Sequence, residues 1–379
     1  MHVVYKPIVI VNHELYYGAA QALRDYLLGK KIRYLLFISL PFYVQRNAKV
    51  YKYHNGKELE KKIYKRNISF GILDYCIDFL LTFWWVWRER ELYDLFIGAG
   101  TLDCFAGIVL KKLRKVKRVI FYSIDFSPIR FRNPLLNKIY HIIEILCVKY
   151  ADKVWNVSPR IAQGREKFLR ISRSHKQKVV PIGVWNKKVK KVPFDQIKKH
   201  QLVFAGHLLE KQGVQLVLES IPLIIKKIPD FRFLIIGGGE YEQELKKIAK
   251  RIGIEKHVVF TGWIQDKDKI NGMLGKSACA IAPYKPEEEQ LFNFTYYADP
   301  TKVKDYLSVG LPVILTNVPY NAKDLVRKKC GVVVEYDKDK IAHAVTSLMK
   351  NDAMLKQHRE NALRYAKYFD WNVIFSDAL

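Results

Sequence analysis

The chain has 379 residues, 49% of them hydrophobic and 27% charged. This excludes a disordered chain and leaves enough apolar residues for two cores, which is the default at this length. The formal net charge of +28 is uneven: residues 1–190 hold 36 Lys and Arg against 14 Asp and Glu, a net of +22, and residues 191–379 hold 29 against 23, a net of +6. A front half so basic points to an anionic partner: nucleic acid, lipid headgroups or a phosphorylated substrate. The five cysteines (Cys76, Cys104, Cys147, Cys279 and Cys330) are scattered and odd in number, with no C-x-x-C spacing. A disulfide framework or zinc site is not expected, and a reducing compartment is.

Residues 7–11 (PIVIV) stop at Asn12-His13-Glu14. They read as a first buried strand rather than a signal peptide, so the expected location is the cytoplasm. A turn containing Gly18 leads into a helix over 18–29, and strands follow at 33–39, 94–98, 117–122 and 153–157, with a helix over 134–150. Between them lie a basic segment, 46–66, and the apolar run Phe79–Trp87 (FLLTFWWVW). That run is about half the ~20 residues a spanning helix needs and reads as a buried helix. Residues 186–200, lysine-rich and containing Pro193, read as an interdomain linker.

The βα alternation then restarts, with strands at 201–205, 231–236, 257–261, 278–282, 311–315 and 331–335 and helices at 213–227, 240–252, 266–274, 300–309 and 338–349. Short apolar strands separated by helices predict α/β architecture with parallel, doubly wound sheets. The expected domains are 1–185, the linker 186–200, a second domain over 201–350, and helices over 351–379 that pack back toward the first domain.

Three segments carry the chemistry. Strand 231–236 runs into Gly237-Gly238-Gly239-Glu240 and then a helix. A glycine turn between strand and helix presents backbone N–H groups and the positive end of the helix dipole, which suits a phosphate; the same glycines also suit a tight turn. Ala205-Gly206-His207 follows another strand, with Lys211 and Gln212 close behind. The third segment, Asp299-Pro300-Thr301-Lys302-Val303-Lys304-Asp305, opens a helix, and Gly310 closes it. Lys302 in a first turn opposes the dipole, which a bound anion would explain, and Asp305 shares its face at i, i+3.

These segments together resemble the retaining glycosyltransferases of family 4, the group 1 glycosyltransferases, over residues 201–318 and more loosely elsewhere. The matching runs are AGHLLEKQG, LIIGGGEYEQELKKIAKRIGIEKHVVFTGWI and DPTKVKDYLSVGLPVI, with VVPIGV at 179–184 closing the first domain. The resemblance implies the GT-B fold, two Rossmann-like doubly wound parallel-sheet domains facing across a cleft. The first would bind the acceptor and the second a nucleotide-sugar. It implies donor contacts from Gly18, Gly206, His207, Gly238, Gly239, Trp263, Ile264, Asp299, Thr301, Lys302 and Asp305, with Lys211 and Lys302 as a cationic clamp on the diphosphate. The family's pair of glutamates eight residues apart is replaced here by Tyr297 and Asp305, and Asp299 is the substitute carboxylate for the first. His207 stands where an arginine is common. In the first domain, Asp125 in YSIDFSP follows a strand end, where the family often has a histidine; it is the candidate to take the acceptor's proton or steady the sugar's positive charge.

The implied reaction transfers a sugar, with UDP the commoner carrier, to a glycan or lipid-linked acceptor with retention of configuration. No metal and no cofactor beyond the donor is expected, since the Asp266-Lys267-Asp268 triplet opens a predicted helix and reads as a cap. The basic front half, or Trp84, Trp85 and Trp87, would suit an anionic membrane surface at the inner face. The alternatives are a sugar-nucleotide epimerase of the same shape and a basic anion- or nucleic-acid-binding protein. Nucleic acid is not expected, because no recognised motif for it is present.

Overall fold

A computed structural model describes residues 6–13, 17–41, 47–65, 73–286 and 294–379. The chain divides into two compact units, Met1–Pro181 with Phe375–Leu379, and Ile182–Ile374.

The first unit is built on eight strands: β1 (Ile8–His13), β2 (Tyr34–Leu40), β3 (Asn47–His54), β4 (Lys57–Lys65), β5 (Tyr93–Ala99), β6 (Val116–Ser123), β7 (Lys153–Asn156) and β8 (Gln177–Val179). Their order in the sheet is β4-β3-β2-β1-β5-β6-β7-β8. β3 pairs antiparallel with both β2 and β4, and the other neighbours pair in parallel. The central strands are apolar because both faces are covered: Val9, Ile10, Val11, Leu35 and Leu36 are fully buried, and Ile10 sits opposite Phe37 and Ile97.

The helices of this unit are α1 (Ala19–Gly29), α2 (Leu73–Trp87), α3 (Thr101–Lys112), α4 (Pro134–Tyr150) and α5 (Pro159–Leu169). The crossovers through α2, α3 and α4 run in the same direction along the sheet, so right-handed connection puts these three on one face and α1 on the other. α2 packs Trp85 and Val86 into the core, with Tyr64 at 4.9 Å from the Trp85 ring. The run Phe79–Trp87, read as a buried helix, is therefore buried on one side only: Leu80, Trp84 and Trp87 are exposed. Behind β6 and β7, the fully buried Arg165 guanidinium donates to Glu144 Oε1, Asn156 Oδ1 and Ser123 Oγ at 2.9, 2.8 and 2.7 Å, so this internal charge is paired and hydrogen-bonded.

The second unit holds a parallel sheet of six strands: β9 (Lys198–Ala205), β10 (Arg232–Ile236), β11 (Val258–Phe260), β12 (Ser277–Ala282), β13 (Val313–Thr316) and β14 (Gly331–Val334). The order is β11-β10-β9-β12-β13-β14, and Val203 at its centre faces Leu234 and Ala280. Its helices are α6 (Val214–Ile225), α7 (Glu242–Arg251), α8 (Lys267–Gly275), α9 (Phe294–Tyr297), α10 (Thr301–Ser308), α11 (Ala322–Arg327), α12 (Lys338–Met349) and α13 (Asp352–Ala366); α14 (Trp371–Ala378) carries the chain back to the first unit's last residues. α13 is pinned by Arg359, whose guanidinium donates to the carbonyls of Gly275, Ser277 and Ala278.

Residues 186–200, read as a linker from their lysines, are folded onto this second unit. Val189, Val192 and Phe194 pack on its cores, Asn186 N–H donates to Asp370 Oδ2 at 3.1 Å, and Lys198 already opens β9. Apolar residues at every second or third place in the lysine run account for this, because they pack on the cores of the second unit.

Candidate functional site

In the second unit the strand order reverses between β9 and β12: β9 leads through α6 to β10 on one side, and the chain returns as β12 on the other. Ligands of open α/β sheets bind in the crevice at the carboxyl ends of such strands. The glycine segments meet there. Gly206 (φ +152°) and Gly237 (φ +132°) have backbone conformations that side chains rarely adopt, and a Cβ on Gly237 would lie 2.0 Å from the Gly206 carbonyl oxygen. The two turns are therefore packed backbone on backbone, with Gly206 N–H donating to Ile236 O at 2.9 Å and Leu208 N–H to Gly238 O at 3.0 Å. His207 is exposed, and its ring carbon would meet any side chain added at Gly239. Exposed Trp263 begins the next strand-end loop beside Gly238, while Ile264 is half-buried against the core.

Lys302 enters this crevice from α10. Its Nζ would lie 2.8 Å from a Cβ at Gly206; it stands 4.3 Å from the Phe204 ring centroid and 5.2 Å from that of Tyr284, and donates to Gln212 Oε1 at 2.6 Å. The aromatic faces and a neutral amide attract an ammonium far less than a carboxylate would. Loss of water pulls its pKa down to about 7. Lys211 is exposed on the short 3-10 turn Glu210–Gln212, so the neighbouring Gln212 is what touches Lys302.

The rest of the segment divides sharply. Asp305 Oδ2 accepts from exposed Lys267 at 2.7 Å; burial raises its carboxyl pKa, against the pull of that lysine. Thr301 is exposed at the helix start. Asp299 is not available as a donor-sugar ligand. It is 4% exposed, its Oδ1 takes Lys304 Nζ at 2.7 Å and its Oδ2 takes Ile182 N–H at 2.8 Å. Lys304 is equally buried, 4.2 Å from the Phe369 ring centroid, so the pair is an internal tie between residue 182 and α10. Tyr297 is also buried. In the Asp266-Lys267-Asp268 triplet, Asp266 caps α8 by accepting from the N–H groups of Asp268 and Lys269.

The first unit has its own reversal, between β1 and β5. Gly18 caps α1 there in an extended conformation (φ −142°), with its N–H turned to Gln21 Oε1 at 3.0 Å, so the freedom of glycine is not used. Asp125, after β6, is partly exposed and takes Arg130 Nη1 at 2.6 Å. Sequence reasoning missed His13, which ends β1. Its Nδ1 lies 2.8 Å from Asp103 Oδ1 and its Nε2 3.2 Å from Asp78 Oδ2. Burial alone would lower its pKa, but the two carboxylates outweigh that and raise it to about 10, so the ring is an imidazolium at neutral pH.

Residues 199–351 match the family model described as Glycosyl transferases group 1. An uncharacterized glycosyltransferase of Haemophilus influenzae is 24% identical over 244 residues, 64% of this chain and 62% of that protein. A poly(glycerol-phosphate) alpha-glucosyltransferase of Bacillus subtilis is 24% identical over 174 residues, 45% of this chain and 24% of its own length. The chain thus spans less than two thirds of either relative. Among solved structures, sucrose-phosphate synthase from Thermosynechococcus elongatus superposes with a TM-score of 0.74 at 13% identity, covering 98% of this chain and 97% of that one. HepE of Anabaena in complex with UDP-glucose superposes with a TM-score of 0.70 at 14% identity, covering 98% of both chains. The architecture is GT-B, and the resemblance to the group 1 glycosyltransferases lies in residues 199–351.

Proposed function

We propose that this chain transfers a glycosyl group from a nucleotide-sugar to an acceptor with retention of configuration, and that the second unit holds the donor. One observation carries the reading: Lys302 is a desolvated cation, paired with a neutral amide, at the strand-end crevice between β9 and β12 and above a turn stripped of side chains at Gly206. A diphosphate supplies the charge this lysine lacks. When the bond from the anomeric carbon to the diphosphate oxygen breaks, positive charge grows on the sugar and negative charge on the leaving diphosphate. A cation already fixed where that negative charge develops stabilises the transition state without reorganisation.

Gly238 and Gly239 at the α7 end bring backbone dipoles to the same place, with His207 and Lys211 at its exposed edge. Trp263 offers a face for the base, with Ile264 behind it, and Asp305 accepts from the ribose hydroxyls, exchanging its bond to exposed Lys267. Thr301 extends the contacts from the start of α10. In the first unit Asp125, oriented by Arg130, takes the acceptor hydroxyl's proton or steadies the cationic sugar. No metal is required, because fixed cations and amides carry the leaving-group charge. The acceptor is a glycan or a lipid-linked sugar, and the basic front half meets an anionic membrane surface.

Complexes of HepE with UDP and with UDP-glucose support UDP as the nucleotide. The test is a thermal-shift screen of UDP, GDP and ADP and their sugars, followed by transfer assays on those that bind. A ligand of the native state raises the unfolding temperature. UDP-glucose should do so in the intact chain and not in Lys302→Ala, and equal shifts in both proteins would remove the basis of the proposal.

A further inference from the structure

Two helices of the first unit turn apolar side chains to solvent in an ordered way. The exposed positions of α2 are Leu73, Cys76, Leu80, Trp84 and Trp87, one stripe of the helix without a charged residue. On α4 the exposed apolar positions Leu135, Ile139 and Ile142 repeat at i, i+4 and i+7. A solvated helix reverses this pattern. Both helices pack against α3, between them on one face of the sheet: the Phe79 ring of α2 lies 5.7 Å from that of Phe105, tilted to it, and Tyr140 of α4 meets Thr101 at 2.9 Å. The stripes therefore belong to one outer surface.

The exposed charges on these three helices are all of one sign. α2, α3 and α4 all run antiparallel to the parallel strands they connect, so their C-termini share a rim. Exposed Arg88, Lys112 and Lys149 stand on it; the Arg88 guanidinium lies 4.6 Å from the Trp84 ring centroid, and the Lys112 and Lys149 ammonium groups lie 5.4 and 5.2 Å from that of Tyr150. Arg132 stands exposed at the opposite end, just before α4. An aliphatic and indole centre with a cationic border matches the boundary between acyl chains and anionic headgroups, where tryptophan and arginine are at home. A second copy of the chain would bring two cationic borders together, and a nucleic acid would leave the aliphatic centre uncovered. No described helix is long and apolar enough to cross a membrane, so the contact lies in the plane of the interface.

We propose that the outer face of α2, α3 and α4 docks on an anionic bilayer, with Leu80, Trp84, Trp87, Leu135, Ile139 and Ile142 entering the headgroup–acyl boundary. This deepens the functional reading above and rests on its membrane-facing acceptor. It places the contact on the helical layer rather than on the basic hairpin β3–β4.

The test is flotation of the full chain with vesicles of phosphatidylcholine alone and with about 30% phosphatidylglycerol added. Binding is expected to the anionic vesicles and to weaken in high salt. The exposed-site pairs Leu80→Glu with Trp84→Glu, and Leu135→Glu with Ile139→Glu, should each lower partitioning by about tenfold or more. The two pairs sit on different helices, so a folding defect in one leaves the other to report. Unchanged partitioning in both, or loss only on replacing Lys57, Lys61, Lys62 and Lys65 of β4, would overturn the assignment. So would a dimer, seen by sedimentation, that either pair dissolves. Stabilisation by UDP is read on the same samples: its absence from a chain that still floats counts against the transferase reading and leaves the docking face standing.

Discussion

The two units repeat one design and load it oppositely. Each has a reversal of strand order, and each places a nitrogen base at the end of a strand or helix beside it. His13 in the first unit sits between Asp78 and Asp103, which raise its pKa to about 10. Lys302 in the second sits among Phe204, Tyr284 and Gln212, and its pKa falls to about 7. The first charge is satisfied within the fold and ties β1 to α2 and α3. The second is held among two rings and a neutral amide, which offset its lost solvation only in part. The proposed donor site rests on a position of that kind, whereas the His13 charge is accounted for within the fold.

The largest expected effect breaks the paired side. His13→Leu removes the cation and leaves two buried carboxylates facing an apolar group, so the chain should lose about 3–5 kcal/mol of stability. Chemical denaturation reads this directly. Lys302→Met should do the reverse to stability, because it replaces a poorly solvated ammonium by a side chain suited to Phe204 and Tyr284. Its loss falls on the reaction: turnover with the preferred donor should drop by about 10²–10³-fold, equivalent to about 3–4 kcal/mol of transition-state stabilisation. If Lys302→Met destabilised the fold as His13→Leu does, the contrast between the two crevices would be lost.

Proton linkage gives the same contrast with opposite signs. The His13 pKa is raised in the fold, so its contribution is complete below its ordinary value of 6.5 and is lost as pH climbs to about 10. The Lys302 pKa is lowered from 10.5, so between about 7 and 10.5 the unfolded chain binds the extra proton and stability rises with pH. Comparing each variant with the parent across pH 6–10 isolates the two slopes. Binding should follow Lys302 as well. Above pH 7 the anion must recruit a proton, so UDP affinity should fall by up to about tenfold per pH unit, with proton uptake visible by calorimetry in buffers of different ionisation enthalpy. In Lys302→Met that pH dependence should disappear.

Much of this was legible in the residues because buried parallel strands write themselves as apolar runs. Those of β1, β5, β9, β10 and β12 are uninterrupted, and glycine with positive φ marks the strand ends at 206 and 237. The hairpin β3–β4 was not legible. Its outer strand, KELEKKIYK, is mostly lysine and glutamate along a solvated edge, a composition that protects an edge but looks like a loop. His13 was invisible for another reason: its partners are 65 and 90 residues away, and a lone histidine at a strand end carries no spacing to read. Asp299 misled because a carboxylate before a helix looks exposed, and only packing shows that Lys304 and the Ile182 N–H already fill both of its oxygens.

The smallest effect concerns Asp305, which lies between the two cases. Its carboxylate has a partner, but Lys267 is an exposed lysine whose ion pair is worth little in water. A ribose diol is therefore an adequate competitor, and Lys267 is free to swing into solvent when it arrives. Asp305→Ala should weaken UDP binding by about tenfold, the worth of one hydrogen bond to a charged acceptor, and leave the response to inorganic diphosphate unchanged. Lys267→Ala should leave UDP binding the same or slightly tighter, since it removes the competing partner. Calorimetry on the two variants separates a ligand from a structural pair: a carboxylate that served only Lys267 would make both substitutions equally neutral toward UDP.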